Sequence, residues 1–464
     1  AQAAWQRGGP SQFPCGIEKK PIRKHSYATR PLEPLMMVSV CTLTLLALGL
    51  PALQLAALPD HGAIHTVALS KQHVPVHKGS RVVATKTAYF GTVFVGLPKP
   101  QSFTVLFDTG SGHFILPSHA CEDISCTTHR RFDKSMSGSA VAIDSDGTRV
   151  SVDSSEYDTV DISFGTGQIS GPFVEEVVCL SNSTNLAPRA LRNDCVGVRV
   201  VTAEMMTEDP FHHFDFDGVV GLGLEGLALH KDFSFVAQLG QVGLMGQGYF
   251  GIFLAKGDTH LSEISFGGYN EERVSGPLSW VPVAAPELGY WQVRIRGVRV
   301  ADKAIDLCDD GTCRAVLDTG TSMLGVPRQA ATMLHWSLAR PFLGGAEAAT
   351  GLDCRGLQGP SIVFDLGTVD LSLEAEDYSR PAPTMVQNKS TGQGQVFCRA
   401  SLLPVEMGQP LGPKTFVFGE PVLRRHYTAY DWRQHQIGFA LARQPDEDRL
   451  GNELSHVSQA EKAM

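Results

Sequence analysis

From Thr87 onward the chain is a succession of short apolar runs rich in Val, Phe and Ile, broken by Gly and Pro every eight to twelve residues. Such runs are too short for helices and too regularly interrupted for a helical bundle, so they predict an all-β chain. Four examples are AYFGTVFVG at 88–96, FTVLF at 103–107, DTVDISFG at 158–165 and YWQVRIRGVRV at 290–300. Two stretches read instead as short helices, one from Arg328 to Leu338 after Pro327 and one from Phe233 to Leu239. The Ser- and Asp-rich stretch from Ser135 to Glu156 reads as a surface insertion. Before Thr87 the texture differs. Residues 1–35 are polar and basic without hydrophobic periodicity, which predicts an unfolded tail. Met36 to Leu58 is an uncharged run of 23 residues, long enough to cross a bilayer core of about 30 Å. Two readings of this run stand: a signal peptide, with translation starting at Met36 or Met37, or an uncleaved anchor whose basic flank stays cytoplasmic. Residues 59–86 form a short pro-segment or linker, and residues 444–464 a polar tail.

Composition narrows the function classes. With 464 residues the prior is two or three domains, and 43% hydrophobic residues set disorder aside. A formal net charge of -9 lacks the clustered basic surface that replaces phosphate counterions, so nucleic-acid binding is not expected. The 47 glycines and 27 prolines fit many tight turns.

One pattern occurs twice. FTVLFDTGS at 103–111 and RAVLDTGT at 314–321 each place an aspartate, Asp108 or Asp318, after an apolar strand and before Thr-Gly and a hydroxyl residue. About a hundred residues after each come two apolar residues and a glycine: Val219, Val220, Gly221, then Val417, Phe418, Gly419. The two aspartates stand 210 residues apart, too far for a solenoid repeat and suited to two similar lobes. A carboxylate at the end of a buried strand is costly unless its charge is shared. Two that face each other hold one proton between them, giving a general base and a general acid in one site, which suits addition of water to an amide carbonyl. The coupled aspartate dyad is an established precedent for such pairing.

These motifs carry a resemblance. With YFGTVFVG at 89–96, FDTGSG at 107–112, FGTGQISG at 164–171, FDGVVGLG at 216–223, WVPV at 280–283, YWQV at 290–293, LDTGTS at 317–322 and VFGEPVLRRHYTAYD at 417–431, the chain resembles the pepsin-like aspartic proteases (peptidase family A1) from about Thr87 to Arg443. The resemblance implies a bilobal all-β fold, with lobes at 87–256 and 257–443 and Asp108 and Asp318 at the floor of a long cleft. It implies that Thr109 and Thr319, with Ser111, support the two aspartates. Gly110, Gly320, Thr321 and Ser322 would lie beside the substrate backbone, where small side chains permit close approach. A hairpin flap carrying Phe164, Gly165, Thr166 and Gly167 would close over the substrate as an added strand. Leu106, Phe164, Phe216 and Val219 would line an apolar pocket favouring large hydrophobic substrate residues, or belong simply to the core.

The chain departs from the family at one pair. Where a flap tyrosine usually bonds to a tryptophan, it has Phe164 and Ile115, two apolar groups that leave neither partner stranded and imply a less restrained flap. Among the ten cysteines, the resemblance implies bridges Cys121–Cys126, Cys308–Cys313 and Cys354–Cys398, and adjacent pairing adds Cys179–Cys195 across an inserted loop. Zinc held by the two C-x4-C segments is the rival, disfavoured because they fall in different lobes without a histidine motif. Cys15 and Cys41 belong to the leader, and sequons at Asn182 and Asn388 fit secretion. The GxGxxG matches at Gly221–Gly226 and Gly246–Gly251 lie outside any βαβ unit, and His212–His213 reads as a surface pair.

The expectation is a monomeric acid endopeptidase of the secretory pathway, secreted, endolysosomal or membrane-tethered, acting on peptides without metal or organic cofactor. A catalytically silent pepsin-fold binding protein is the alternative from another class. IHTVALSKQHVPVHKG at 64–79 resembles the start of a pro-segment, with Lys78 or Lys86 as counter-charge to the aspartates, or else is a plain linker.

Overall fold

The computed structural model describes residues 64–78, 81–151, 156–165, 167–182, 194–344, 349–387 and 394–445, together with the two-residue strand Gly16–Ile17. The expected all-β character holds: strands dominate and the helices are short. Arg328–Ser337 and Phe235–Gln241 are the two helices anticipated from the pattern. The run at 290–300 is split into two strands, Gln292–Arg294 and Gly297–Val300, which enter different sheets. The insertion at 135–156 is less loop-like than its composition suggests, because Val141–Ile143 pairs with Phe173–Cys179 at the sheet edge. Within the tail at 1–35, Gly16–Ile17 pairs antiparallel with Val160–Phe164.

The sequence repeat is a structural repeat. In the first half, Gln101–Asp108 lies parallel to Gly218–Gly221, which lies antiparallel to Phe114–Pro117. In the second half, Arg314–Leu317 lies parallel to Thr415–Phe418, which lies antiparallel to Leu324–Pro327. Each aspartate thus leaves its strand into a tight loop and the chain returns one strand away, while the distant apolar-apolar-glycine strand fills the gap between. The burial of Gln101–Asp108 alternates and then closes on two buried positions, as a strand entering the core should.

The halves are not merely juxtaposed. One sheet runs through both, in the order Ser279–Pro282, Gln436–Leu441, His426–Asp431, Tyr249–Phe253, Ser262–Phe266, His65–Lys78, Arg81–Val95 and then the strands of the first lobe. The expected lobe boundary at 256/257 falls between two neighbouring strands of this sheet. His65–Lys78, within the segment read as a pro-segment or linker, is a sheet strand. Its first part pairs with Ser262–Phe266 (Leu69 opposite Ser262), and it forms a long hairpin with Arg81–Val95. Val67 and Leu69 on it are buried in the main core with Phe250, Phe266 and Trp291. Four disulfides, Cys121–Cys126, Cys179–Cys195, Cys308–Cys313 and Cys354–Cys398, staple loops of the two halves. Among the described residues no helix is long and apolar enough to cross a membrane, and the run at 36–58 lies outside them.

Candidate active site

The two Asp-Thr-Gly turns meet head to head. Thr109 N–H donates to Thr319 Oγ1 at 3.0 Å and Thr319 N–H donates to Thr109 Oγ1 at 3.1 Å. Each hydroxyl then donates across the interface, Thr109 Oγ1 to Leu317 O at 2.9 Å and Thr319 Oγ1 to Phe107 O at 2.6 Å. All four bonds are buried, where each replaces a costly unpaired group. The consequence is that neither aspartate-bearing loop can shift without the other.

This lock brings the carboxylates together. A Cβ at Gly110 would lie 2.9 Å from Asp318 Oδ1 and 3.3 Å from Asp108 Oδ1; at Gly320 it would lie 3.0 Å from Asp108 Oδ1 and 3.2 Å from Asp318 Oδ1. Both glycines are therefore required by close approach. Each also donates its N–H to the aspartate two residues before it, Gly110 to Asp108 Oδ1 at 2.9 Å and Gly320 to Asp318 Oδ1 at 2.8 Å. Thr321 Oγ1 donates to Asp318 Oδ2 at 2.6 Å. Burial, and then the neighbouring charge of Asp108, push Asp318 up to about 7. Burial raises Asp108 as well, opposed by the Ser111 hydroxyl and the Gly110 N–H. The pair favours a state with one proton shared between two carboxyls.

The remaining expected residues fall into two groups. Phe164, Phe216 and Val219 line one apolar pocket with Ile115, Ile169, Met206 and Phe211, while His129 and Asp217 supply its polar wall. Val219 sits two positions before Gly221, the residue paired with Asp108, so this pocket adjoins the carboxylates. Leu106 is absent from that lining and packs on the next cluster with Ala88, Phe214, Phe216 and Val219. The strands Val160–Phe164 and Gly167–Gly171 form a hairpin, turning through Gly165 at φ 56°, and Thr166 lies outside the described residues. Phe164 meets Phe211 edge-on at 5.7 Å, and Ile115 lies in the same wall.

Ser322 has a second occupation. Its hydroxyl accepts Thr87 N–H at 2.7 Å and donates to Thr87 O at 2.9 Å, tying the second Asp-Thr-Gly loop to the first lobe's hairpin. Further bridges between the halves were not anticipated. Trp291 Nε1 donates to Leu222 O at 2.7 Å, and Tyr89 Oη donates to Glu420 Oε1 at 2.9 Å. Their presence in the motifs YWQV and VFGEP was visible, but a motif does not say which distant group its polar atom meets. Asn182 is exposed, and Asn388 lies outside the described residues. Among the described residues no group of three or more His, Cys, Asp or Glu stands together as a metal site would require.

With this geometry in view, comparison with known proteins is decisive: residues 88–442 match the eukaryotic aspartyl protease family. The chain belongs to that family. It is 28% identical to pepsin A of Suncus murinus over 356 residues, covering 76% of this chain and 80% of that one. It is 28% identical to cathepsin E of Mus musculus over 358 residues, with the same coverage, and 27% identical to chymosin of Callithrix jacchus over 402 residues, covering 83% and 91%. This aspartyl protease is a peptide hydrolase of pepsin-like, bilobal β architecture.

Proposed function

We propose that the protein is an endopeptidase in which Asp108 and Asp318 activate one water by general acid and base catalysis. The observation that supports this most strongly is the mutual Thr109–Thr319 lock, which holds two buried carboxyls on either side of Gly110 and Gly320. A water between the carboxyls attacks the scissile carbonyl. One carboxylate takes its proton, the other carboxylic acid protonates the carbonyl oxygen, and the resulting diol collapses with proton return to the leaving nitrogen. The proton belongs to the pair as a unit. Activity needs one proton on the pair, so it declines as pH rises through the value of about 7 to which Asp318 is pushed. Hydrophobic residues flanking the cleaved bond would pack on the apolar wall of Ile115, Phe164, Phe216 and Val219, whose enclosed space of about 10 Å³ must widen to admit a side chain.

The four disulfides favour an oxidising compartment, hence the secretory pathway. Asn182, exposed beside Cys179–Cys195, is proposed as a glycosylation site. The test is cleavage of a peptide library at acidic pH. Asp108→Asn and Asp318→Asn should each keep the fold and lower turnover on the order of 10²–10⁴-fold or more. Undiminished cleavage by either variant would rule the pair out.

A further inference from the structure

His113, five residues after Asp108, is a buried titratable side chain that peptide hydrolysis leaves unused; it is 1% exposed. Its Nε2 accepts the backbone N–H of Leu229 at 3.1 Å, so that nitrogen carries no proton and the ring is neutral with its hydrogen on Nδ1. Nδ1 meets no acceptor. The ring lies 5.7 Å from that of Phe233, and its backbone carbonyl accepts Gly221 N–H at 2.9 Å.

The bond to Leu229 closes one end of a bridge. At the other end Leu222 N–H donates to Asp108 O, Gly223 N–H to Ser111 O and Leu224 N–H to Gly289 O of the second lobe, each at 2.8 Å. Between them the chain lies flat on its neighbours. A Cβ at Gly112 would sit 2.5 Å from the Leu227 carbonyl carbon, and one at Gly226 would sit 2.7 Å from Gly289 N. The turn at 224–229 thus touches the Asp108 loop and the opposite lobe at once.

We propose that His113 is a positioning residue whose neutral ring holds this turn, and through it the Asp108 loop and the contact with Gly289, and that protonation of the ring releases the turn and sets the acid limit of activity. A protonated imidazole has two donors and no acceptor, so Leu229 N–H would face another N–H instead of a lone pair. Burial holds the ring down to about 4, which keeps it neutral through mildly acidic conditions. The charged groups on the surrounding elements are Asp108 on its own loop, Asp217 beside the adjoining strand, Glu225 on the turn, His230, Lys231 and Asp232 beyond it, and Arg199, whose guanidinium lies 5.6 Å from the centre of the Phe233 ring. Asp217 is engaged by Thr104 and Arg130 N–H, and Asp232 by Arg199 and His230. None of these carboxylates bonds to the ring, so a proton added there gains no counter-charge.

This inference rests on the proposed role of Asp108, and its test separates the two. In the Asp108→Asn protein, the His113 ring and the Leu229 amide are followed by NMR and hydrogen exchange from about pH 7 to about pH 3.5. The ring should protonate well below the exposed histidines, with Leu229 exchange rising about tenfold or more in step. In the active protein, His113→Gln offers an amide oxygen to Leu229 without titrating. It should move the acid limb of kcat/KM down by about one pH unit or more, whereas His113→Leu should lose activity at every pH. A ring that titrates with no change at Leu229, or a Gln variant with an unmoved acid limb, overturns the proposal. Turnover retained by Asp108→Asn would instead overturn the function proposed for that residue and leave the exchange result standing.

Discussion

A tyrosine hydroxyl at position 164 would enter a wall made by Ile115, Ile169, Met206 and Phe211. The polar members of that wall are already bonded: His129 contacts Ser125 O and Phe214 O, each at 2.6 Å, and Asp217 accepts from Thr104 and Arg130. Phe164 is half-buried, so Phe164→Tyr should cost less than the about 1–3 kcal/mol of a fully buried hydroxyl left unpaired. Steady-state kinetics should show kcat/KM lowered several-fold and an altered preference among hydrophobic residues at the cleaved bond. Unchanged turnover and preference would show that the flap tolerates either residue. The apolar pair Phe164 and Ile115 was legible in the sequence because Phe164 opens the motif FGTGQISG and Ile115 follows FDTGSG by three residues. His113 was not, although it directly follows the motif FDTGSG, because its meaning depends on Leu229, over a hundred residues away. Ser322 is similar: a serine beside an aspartate invites a substrate role, while its hydroxyl is bonded to the Thr87 backbone.

At the scale of elements, the strand His65–Lys78 is where sequence and structure differ most usefully. Its apolar alternation through Val67 and Leu69 is broken by Lys71 and His73 and resumes out of phase at Val74 and Val76, so a linker is a fair expectation from sequence. Partners that sequence cannot display absorb those polar groups. Lys71 Nζ, its side chain only 6% exposed, donates to Asp258 Oδ1 at 3.0 Å, Gly257 O at 3.1 Å and Lys256 O at 3.3 Å. His73 contacts the same Asp258 oxygen and Thr87 Oγ1, each at 3.1 Å. Leu69→Ala should then behave as a core truncation and cost about 2–5 kcal/mol, read from the denaturant midpoint, rather than the near-zero effect of a linker substitution. N-terminal sequencing of the active enzyme should begin before His65. An active form starting near Thr87 would mean that the strand is removable after all. By contrast, the strands that carry Asp108 and Asp318 were legible in advance, because their signal is local: an apolar strand and a tight Asp-Thr-Gly turn, repeated, while the insertion of Gly218–Gly221 and Thr415–Phe418 beside them is a distant pairing that only the fold displays.

For the molecule as a whole, buried titratable groups act on stability from opposite sides. His113 and His426, both almost fully buried, are held by burial at about 4, against 6.5 for the free side chain. The unfolded chain binds protons at these positions first, so their contribution is fully present above about 6.5 and is lost as pH falls toward 4. At about 1.4 kcal/mol per pH unit, each costs about 3 kcal/mol by then. Asp318 runs the other way. Its folded value of about 7 lies above the 3.8 of the free group, so the protonated fold is favoured at low pH, and stability is lost as pH rises from 3.8 through about 7. That loss is about 4 kcal/mol at most. Two histidines outweigh the one aspartate between about 4 and 6.5, and the tendencies balance only near about 7. The melting temperature should therefore rise with pH from about 4 and level off near about pH 7, with Asp318→Asn steepening the rise and His426→Leu flattening it. A native protein whose melting temperature keeps rising below about pH 4 would show that the buried histidines do not control the acid side. At about pH 5–6 the carboxyl pair retains its single proton and the His113 ring is still neutral, so the catalytic protonation state favours a window in which the fold is still short of its full stability.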